Sequence, residues 1–383
     1  MVAQAFAGRF TAAHRDLEER ARRCLTAARL AEWVGGPGGH LQKAHWEELG
    51  RCGLLGVSLP RELGGGGLGL LGALILSEAA SRLADLGLAL GLHCQNEITA
   101  QWLATAHRSE VRDRYLPEMI AGRAIGCACD TEPSREARAT ARRDGGDLVV
   151  TGRKLFVVNG ANADLCFVTL HLDGEMATVL VEKDRPGVRV VKVYDKLGTR
   201  SIDSAMIDFD AVRVPETNLA TKRGVRQLMH WNKVMTTARF LMCADACLLH
   251  QRLLDGMLAY AGGRIVDGRP LASWPIHRRE LARAAADQQL MRAGLAGRFQ
   301  QLEAGRNAVA EVAALKWFAV ERTARFAALC AEMNGGAGYM WESEFLVAQA
   351  QILGLKMAGG SLVTMKSIAG QALAYREELE ALA

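Results

Sequence analysis

The sequence has no large excess of one charge. Its formal net charge is +5 over 383 residues, and its cations are dispersed among anions, as in Arg20, Arg22 and Arg23 beside Asp16, Glu18 and Glu19. A nucleic-acid-binding protein would concentrate basic residues, so that class is excluded. The sequence also lacks paired metal-ligand spacing. Its nine cysteines are scattered from Cys24 to Cys330, and neither Cys127/Cys129 nor Cys243/Cys247 has a second pair at zinc-site distance. Reduced thiols in a cytoplasmic protein are therefore expected. Met1 to Gly35 carries charges every few residues and offers no apolar leader, so no export is expected. The longest apolar stretch, Leu68 to Leu92, is interrupted by Glu78, Arg82 and Asp85, which predicts a buried helix and not a membrane span. Internal repeats, low-complexity tracts and long linkers are absent as well, so the regions described next are expected to share one structure. What the chain does have is an apolar half, enough for a substantial core.

The pattern changes twice along the chain. From Gln4 to Ile125 apolar residues recur at helical spacing, with charged faces at 16–23 and 108–114. From Gly126 to Val214 short runs rich in Val, Ile, Thr and Phe take over, at 147–151, 165–171, 177–181, 188–193 and 205–214. They are separated by turn residues at Asp144-Gly145-Gly146, Asp173-Gly174 and Arg185-Pro186-Gly187. After Leu219 long helical patterns return, broken at Gly262-Gly263, at 268–275 and at 334–338. The expected architecture is mainly α with a central β domain: an N-terminal helical domain over 1–125, a middle β barrel over 126–220 and a C-terminal four-helix bundle over 221–383. A site between a β domain and a bundle suits a planar cofactor.

Several motifs follow one another in order. They are Pro60-Arg61-Glu62-Leu63-Gly64-Gly65, Tyr115-Leu116-Pro117 with Gly122, Thr131-Glu132-Pro133, and the run from Gly152-Arg153-Lys154 through Phe156-Val157-Val158-Asn159-Gly160. Then come Lys196-Leu197-Gly198-Thr199-Arg200, Val214-Pro215, Arg264 four residues before Gly268, and Gly335-Gly336-Ala337-Gly338-Tyr339. With these residues in this order the chain resembles the acyl-CoA dehydrogenase family over essentially its whole length. The glycine run Gly64–Gly67 could cradle a phosphate, but it has no preceding strand and no Lys-Ser/Thr pair, and in the resembling family it is a structural turn.

The resemblance implies bound FAD. It places Thr131 at the pyrimidine side of the flavin, with Cys129 in the cofactor-binding set, Phe156 beside the ring where the family usually has Trp, and Val157 and Val158 where it often has Ile followed by Thr or Ser, so that a hydroxyl near flavin N5 is missing. It assigns Arg264 to the FAD pyrophosphate of a neighbouring subunit, where a guanidinium suits phosphate geometry, and so implies a homodimer or homotetramer. Gly335 and Gly336 would lie under the adenine half, and Ser361 belongs to the same cofactor-binding set.

Two departures stand out. Ordinary family members take a proton from the carbon next to a thioester carbonyl with a Glu, placed in one of two positions. In this chain the first position holds Gly359, in Ala358-Gly359-Gly360-Ser361, and the second, just before Arg239, holds Ala238. Neither can accept a proton. The loop after Thr-Glu-Pro, Ser134–Arg143, is shorter than in the family and carries Arg135, Glu136, Arg138, Arg142 and Arg143. Glu97 is a substitute candidate for the base, because the family has a Glu on this helix at the floor of the acyl pocket. His93, one helical turn earlier, is expected to share its face, and such a pair could have a pKa suited to proton transfer. Asp245 is a weaker candidate.

The leading expectation is an atypical FAD-dependent oxidoreductase of specialised metabolism, acting on an acyl thioester carried by CoA or an acyl carrier protein. Its electrons would pass to a flavoprotein or to oxygen. The alternative is a flavin-dependent oxygenase or a redox-neutral flavoenzyme of the same fold, with an inactive FAD-binding protein as a further reading. Neither nucleic acid nor membrane is expected as a partner.

Overall fold

The computed structural model describes residues 6, 8–36, 39–83, 85–106, 109–134 and 136–380, with side chains as far as 371. Arg135 of the short arginine-rich loop lies outside the described residues.

The first third is helical, as its periodicity predicts: α1 (Ala12–Cys24), α2 (Ala27–Gly35), α3 (Lys43–Arg51), α4 (Gly69–Ser81), α5 (Leu86–Leu92), α6 (Ala100–Ala104) and α7 (Ser109–Ile120). In α1 the spacing puts Leu17, Ala21 and Cys24 on one buried face. Helices α4 and α5 are apolar nearly all round and lie in the core. The expected single buried helix over 68–92 divides at 82–85, where the Asp85 carboxylate accepts from the Gly87 N–H at 2.6 Å and starts α5. Between α5 and α6 the helix continues through His93–Thr99 with π-helical winding, a wider turn that recurs at functional sites. The N–H groups of Gly64 to Gly67 all bond back to carbonyls of residues 56–61, so the glycine run is a closed turn with no donors left for a phosphate.

One correction falls in this region. Cys24 at the end of α1 and Cys52 at the end of α3 are joined by a disulfide, with their Cα atoms 6.5 Å apart, so the expectation of nine reduced thiols fails there. The other seven cysteines are free and buried.

The middle of the chain forms a curled seven-stranded sheet: β1 (Gly126–Cys129), β2 (Thr140–Asp144), β3 (Asp147–Val158), β4 (Leu165–Leu172), β5 (Glu175–Glu182), β6 (Val188–Val193) and β7 (Ser204–Pro215). The order is β1-β4-β2-β3-β7-β6, with β5 on the far side of β4. The Asp144–Asp147 turn closes a two-residue hairpin with Gly145 and Gly146 both at positive φ, the geometry that matches strand twist. Among the described residues strand β6 pairs only with β7, and it exposes Val190, Val191 and Val193.

The C-terminal bundle is built from α8 (Val225–Gly263), α9 (Pro275–Glu303), α10 (Val309–Met333) and a bent pair, α11 (Glu344–Met357) and α12 (Leu362–Glu380). A two-residue hairpin, β8 (Ile265–Val266) with β9 (Arg269–Pro270), follows α8. Among the described residues no single helix is long and apolar enough to cross a membrane. The Lys196-to-Arg200 motif docks the sheet on the bundle. Lys196 Nζ donates to the Thr199 and Ile202 carbonyls, at 2.8 and 2.5 Å, and a Cβ on Gly198 would stand 2.5 Å from the Ala350 carbonyl oxygen.

Candidate active site

Strand β1 determines what faces the bundle. Successive side chains alternate, so Cys127 and Cys129 point into the apolar core of the sheet while Ala128 packs outward against a cluster containing Ile98, Val234, Met235 and Ala238. The strand ends at Cys129, Asp130 follows it, and Thr131-Glu132-Pro133 then turns away. Glu132 Oε1 accepts from the Ala139 N–H at 2.7 Å and from Lys154 Nζ at 2.9 Å. Lys154, fully buried, also donates to the carbonyls of Asp130 and Thr169, at 3.3 and 2.5 Å. The family motif's Glu and Lys therefore form a buried staple that fixes the Thr131 turn.

Phe156 sits at φ +53° beside a bulge in β3, a left-handed conformation unfavourable for a bulky residue. Its ring stacks on Tyr194 at 4.8 Å yet remains 59% exposed. Val157 and Cys129 bury their side chains inside the sheet, so contacts with a ligand would fall to their backbones. Val158 is half-buried against the helical core, and its carbonyl faces the Cys94 thiol. Thr131, Arg264, Gly335 and Gly336 are exposed, and a Cβ on either glycine would meet nothing within 4 Å. Ser361 begins α12, its hydroxyl accepting from the Thr364 N–H at 3.3 Å.

Arg239 and Gly359, far apart in sequence, meet in the bundle. Arg239 Nε donates to the Gly359 carbonyl at 2.8 Å. Lys316 Nζ donates to the flanking carbonyls, Ala358 by a short bond and Gly360 at 2.7 Å. Two buried cations thus hold three successive carbonyls. Burial lowers the pKa of Lys316 to about 8. Arg239 is 2% exposed, its Nη1 has no hydrogen-bond partner among the described residues, and its guanidinium lies 5.4 Å over the Trp231 ring. Ala238 precedes this arginine in α8 and the Gly359 carbonyl accepts from it, and neither position carries a carboxylate.

Glu97 and His93 do not form a pair. Glu97 is buried, and both of its oxygens accept from Ser58 Oγ, at 2.8 and 2.9 Å. His93 Nε2 instead meets Asp245 at 2.8 Å, and Ser77 and Ser81 donate to the other oxygen of Asp245. Asp245 therefore belongs to a buried network within the bundle, and the π-helical turn sends the two side chains to different partners. Burial lifts the carboxyl of Glu97 to about 7, against the opposing pull of the Ser58 hydroxyl.

Sequence reasoning missed Asp130, Trp231 and Lys316. The one available signal was a carboxylate just after a short apolar strand; the partners of Asp130 come from β4 and α8, which no local pattern reveals.

Three family models match in the order of the folded regions: the acyl-CoA dehydrogenase N-terminal domain over residues 11–123, the middle domain over 132–212 and the C-terminal domain over 222–374. The chain is 27% identical to the mitochondrial long-chain specific acyl-CoA dehydrogenase of Rattus norvegicus over 344 residues, covering 86% of this chain and 79% of the relative. A structure described as a probable acyl-CoA dehydrogenase, from Mycobacterium abscessus, superposes with a TM-score of 0.86 at 28% identity, covering 95% of this chain and 99% of that one. Glutaryl-CoA dehydrogenase from Mycobacterium smegmatis, in complex with FADH2, gives 0.85 at 23% identity over 95% of each chain. By its ordered motifs, its three domains and its fold, this chain belongs to the acyl-CoA dehydrogenase family.

Proposed function

We propose that the protein is an FAD-dependent oxidoreductase acting on an acyl thioester of specialised structure, delivered on CoA or a carrier protein. The observation that carries the atypical part of this reading is the contact of Arg239 with Gly359: of the two positions the resemblance assigns to a base, one precedes Arg239 in α8 and the other accepts its hydrogen bond, and both are without a carboxylate.

The residues present suit the cofactor. Phe156 offers an uncovered ring face, the exposed Thr131 hydroxyl stands on a rigid turn, and the open glycines 335 and 336 leave room for close approach of a flat group. Thr131 and the backbones of Cys129, Val157 and Val158 would hold the ring, and Arg264 would hold a pyrophosphate, from a neighbouring subunit in a homodimer or homotetramer. When bound, FAD supplies a two-electron acceptor for the hydride of the substrate. The chain's own contribution is positional and electrostatic: Arg239 and Lys316 place buried positive charge beside the substrate, where negative charge on a thioester carbonyl would be stabilised. An electron-accepting flavoprotein then takes the electrons onward.

The test is spectroscopic. The purified holoprotein is titrated anaerobically with dithionite, then with acyl-CoA and acyl-carrier-protein thioesters of several lengths. Bleaching of the flavin absorbance by one thioester is the expected result. Reduction by dithionite alone, with every thioester inert, would overturn the reading and favour oxygenase or redox-neutral chemistry.

A further inference from the structure

The bundle side of the site has no carboxylate at the expected base positions, but the sheet side offers one just after β1, Asp130. Asp130 immediately follows β1, two residues after Ala128, whose face packs on Met235 and Ala238. Its Oδ1 accepts from Thr169 Oγ1 of β4 at 2.5 Å and from Trp231 Nε1 of α8 at 3.3 Å. Its Oδ2 has no hydrogen-bond donor among the described residues. The indole that holds Asp130 is the one over which Arg239 lies, so Asp130, Trp231, Arg239 and the Gly359 carbonyl form one continuous polar seam between sheet and bundle. Along the seam stand two unmatched groups of opposite sense: an acceptor oxygen on Asp130 and a buried donor, Nη1, on Arg239. Asp130 is half-buried and Arg239 buried, and each carries a polar atom that the described residues leave unmatched, so the seam can take a bound group that offers both a donor and an acceptor.

Resting on the thioester reading above, we propose that Asp130 is the residue that takes the α-proton of the substrate. In the step, the α C–H bond breaks and its proton forms an O–H bond on Asp130 Oδ2. The C–H electron pair delocalises into the thioester carbonyl as an enolate, whose oxygen accepts from Arg239 Nη1. No electron leaves the substrate in this step. Negative charge moves from Asp130 to the enolate while Arg239 and Lys316 stay in place, so the buried charge balance is unchanged.

The groups that face Asp130 are Thr169 from β4, Lys154 from β3, Cys94 from the π-helical turn, and Trp231 and Arg239 from α8. Burial holds its carboxyl above the usual carboxylate range, against the opposing effects of Thr169 and Lys154.

The experiment compares the wild-type holoprotein with Asp130→Asn, which keeps an oxygen for Thr169 and Trp231. The first readout needs no substrate: the 15N-indole resonance of Trp231, assigned by its loss in Trp231→Phe, is followed from pH 4 to 9. A single titration step in the wild type, absent in Asp130→Asn, is expected. A flat wild-type curve would overturn the proposal. The second readout uses whichever thioester bleaches the wild-type flavin. In Asp130→Asn, exchange of its α-protons with 2H2O and flavin reduction should both fall about 10²–10⁴-fold, with FAD content and thioester Kd unchanged. Exchange within tenfold of wild type would sink the proposal while leaving the oxidoreductase reading intact. Failure of every thioester to bleach the wild type counts against that reading instead.

Discussion

Glu97 shows how a single buried carboxylate shapes behaviour. Its folded-state pKa lies near 7 because of burial, above the ordinary value of 4.5. A carboxyl raised in this way favours folding fully only below its unfolded value, and that contribution is lost as pH rises toward 7. Glu97→Gln removes the dependence. Relative to wild type, the variant should gain up to about 3 kcal/mol of stability between pH 4 and pH 8, read from urea unfolding at the two pH values. The two empty base positions differ in another way. Ala238 lies within the regular helix α8, whereas Gly359 sits at φ +63° with the Met242 sulfur 2.8 Å from where a Cβ would stand. Ala238→Glu should fold and speed flavin reduction by an acyl-CoA in stopped flow; Gly359→Glu should lose roughly 1–3 kcal/mol from backbone strain, visible as a lower Tm. At this scale the ordered motifs were legible because each has a local job, such as the Glu132–Lys154 staple. Asp130 was not, because its meaning comes from Thr169 and Trp231.

At the scale of elements, the network around Asp245 ties α4, the π-helical turn and α8 together through Ser77, Ser81 and His93. Removing the carboxylate leaves three buried polar groups without their partner. Asp245→Ala should therefore destabilise by about 3–5 kcal/mol, measured by the shift of the urea midpoint at constant slope. The helices and the longer strands could be read from periodicity. Strands β1 and β2 could not: Gly126–Cys129 is short and is made a strand by parallel pairing with the distant β4, while Thr140–Asp144 carries two arginines and is held chiefly by its hairpin with β3. The π-helical turn was hidden as well, since apolar periodicity does not separate a π turn from an α turn.

Across the whole molecule, the order of helix, sheet and bundle is the feature most plainly written in the sequence, because each region keeps one period over many residues. The Cys24–Cys52 crosslink was not legible, since spacing alone does not place the ends of α1 and α3 together. It closes a loop of sequence separation 28, and the chain-entropy model gives about 3–4 kcal/mol for such a loop. A thiol-reactive dye should count seven thiols after unfolding without reductant and nine with it, and reduction should lower the Tm.

The open edge of the sheet has a consequence for handling the protein. Strand β6 is an uncapped rim of Val188, Val190, Val191 and Val193 whose intervening residues are Arg189 and Lys192. Charged side chains on an edge strand discourage another strand from adding to it. Colloidal behaviour at high concentration is therefore tied to Arg189 and to Lys192, whose ammonium also lies over the Tyr194 ring that stacks on Phe156, and a salt-rich buffer that screens them weakens the barrier to fibrous association.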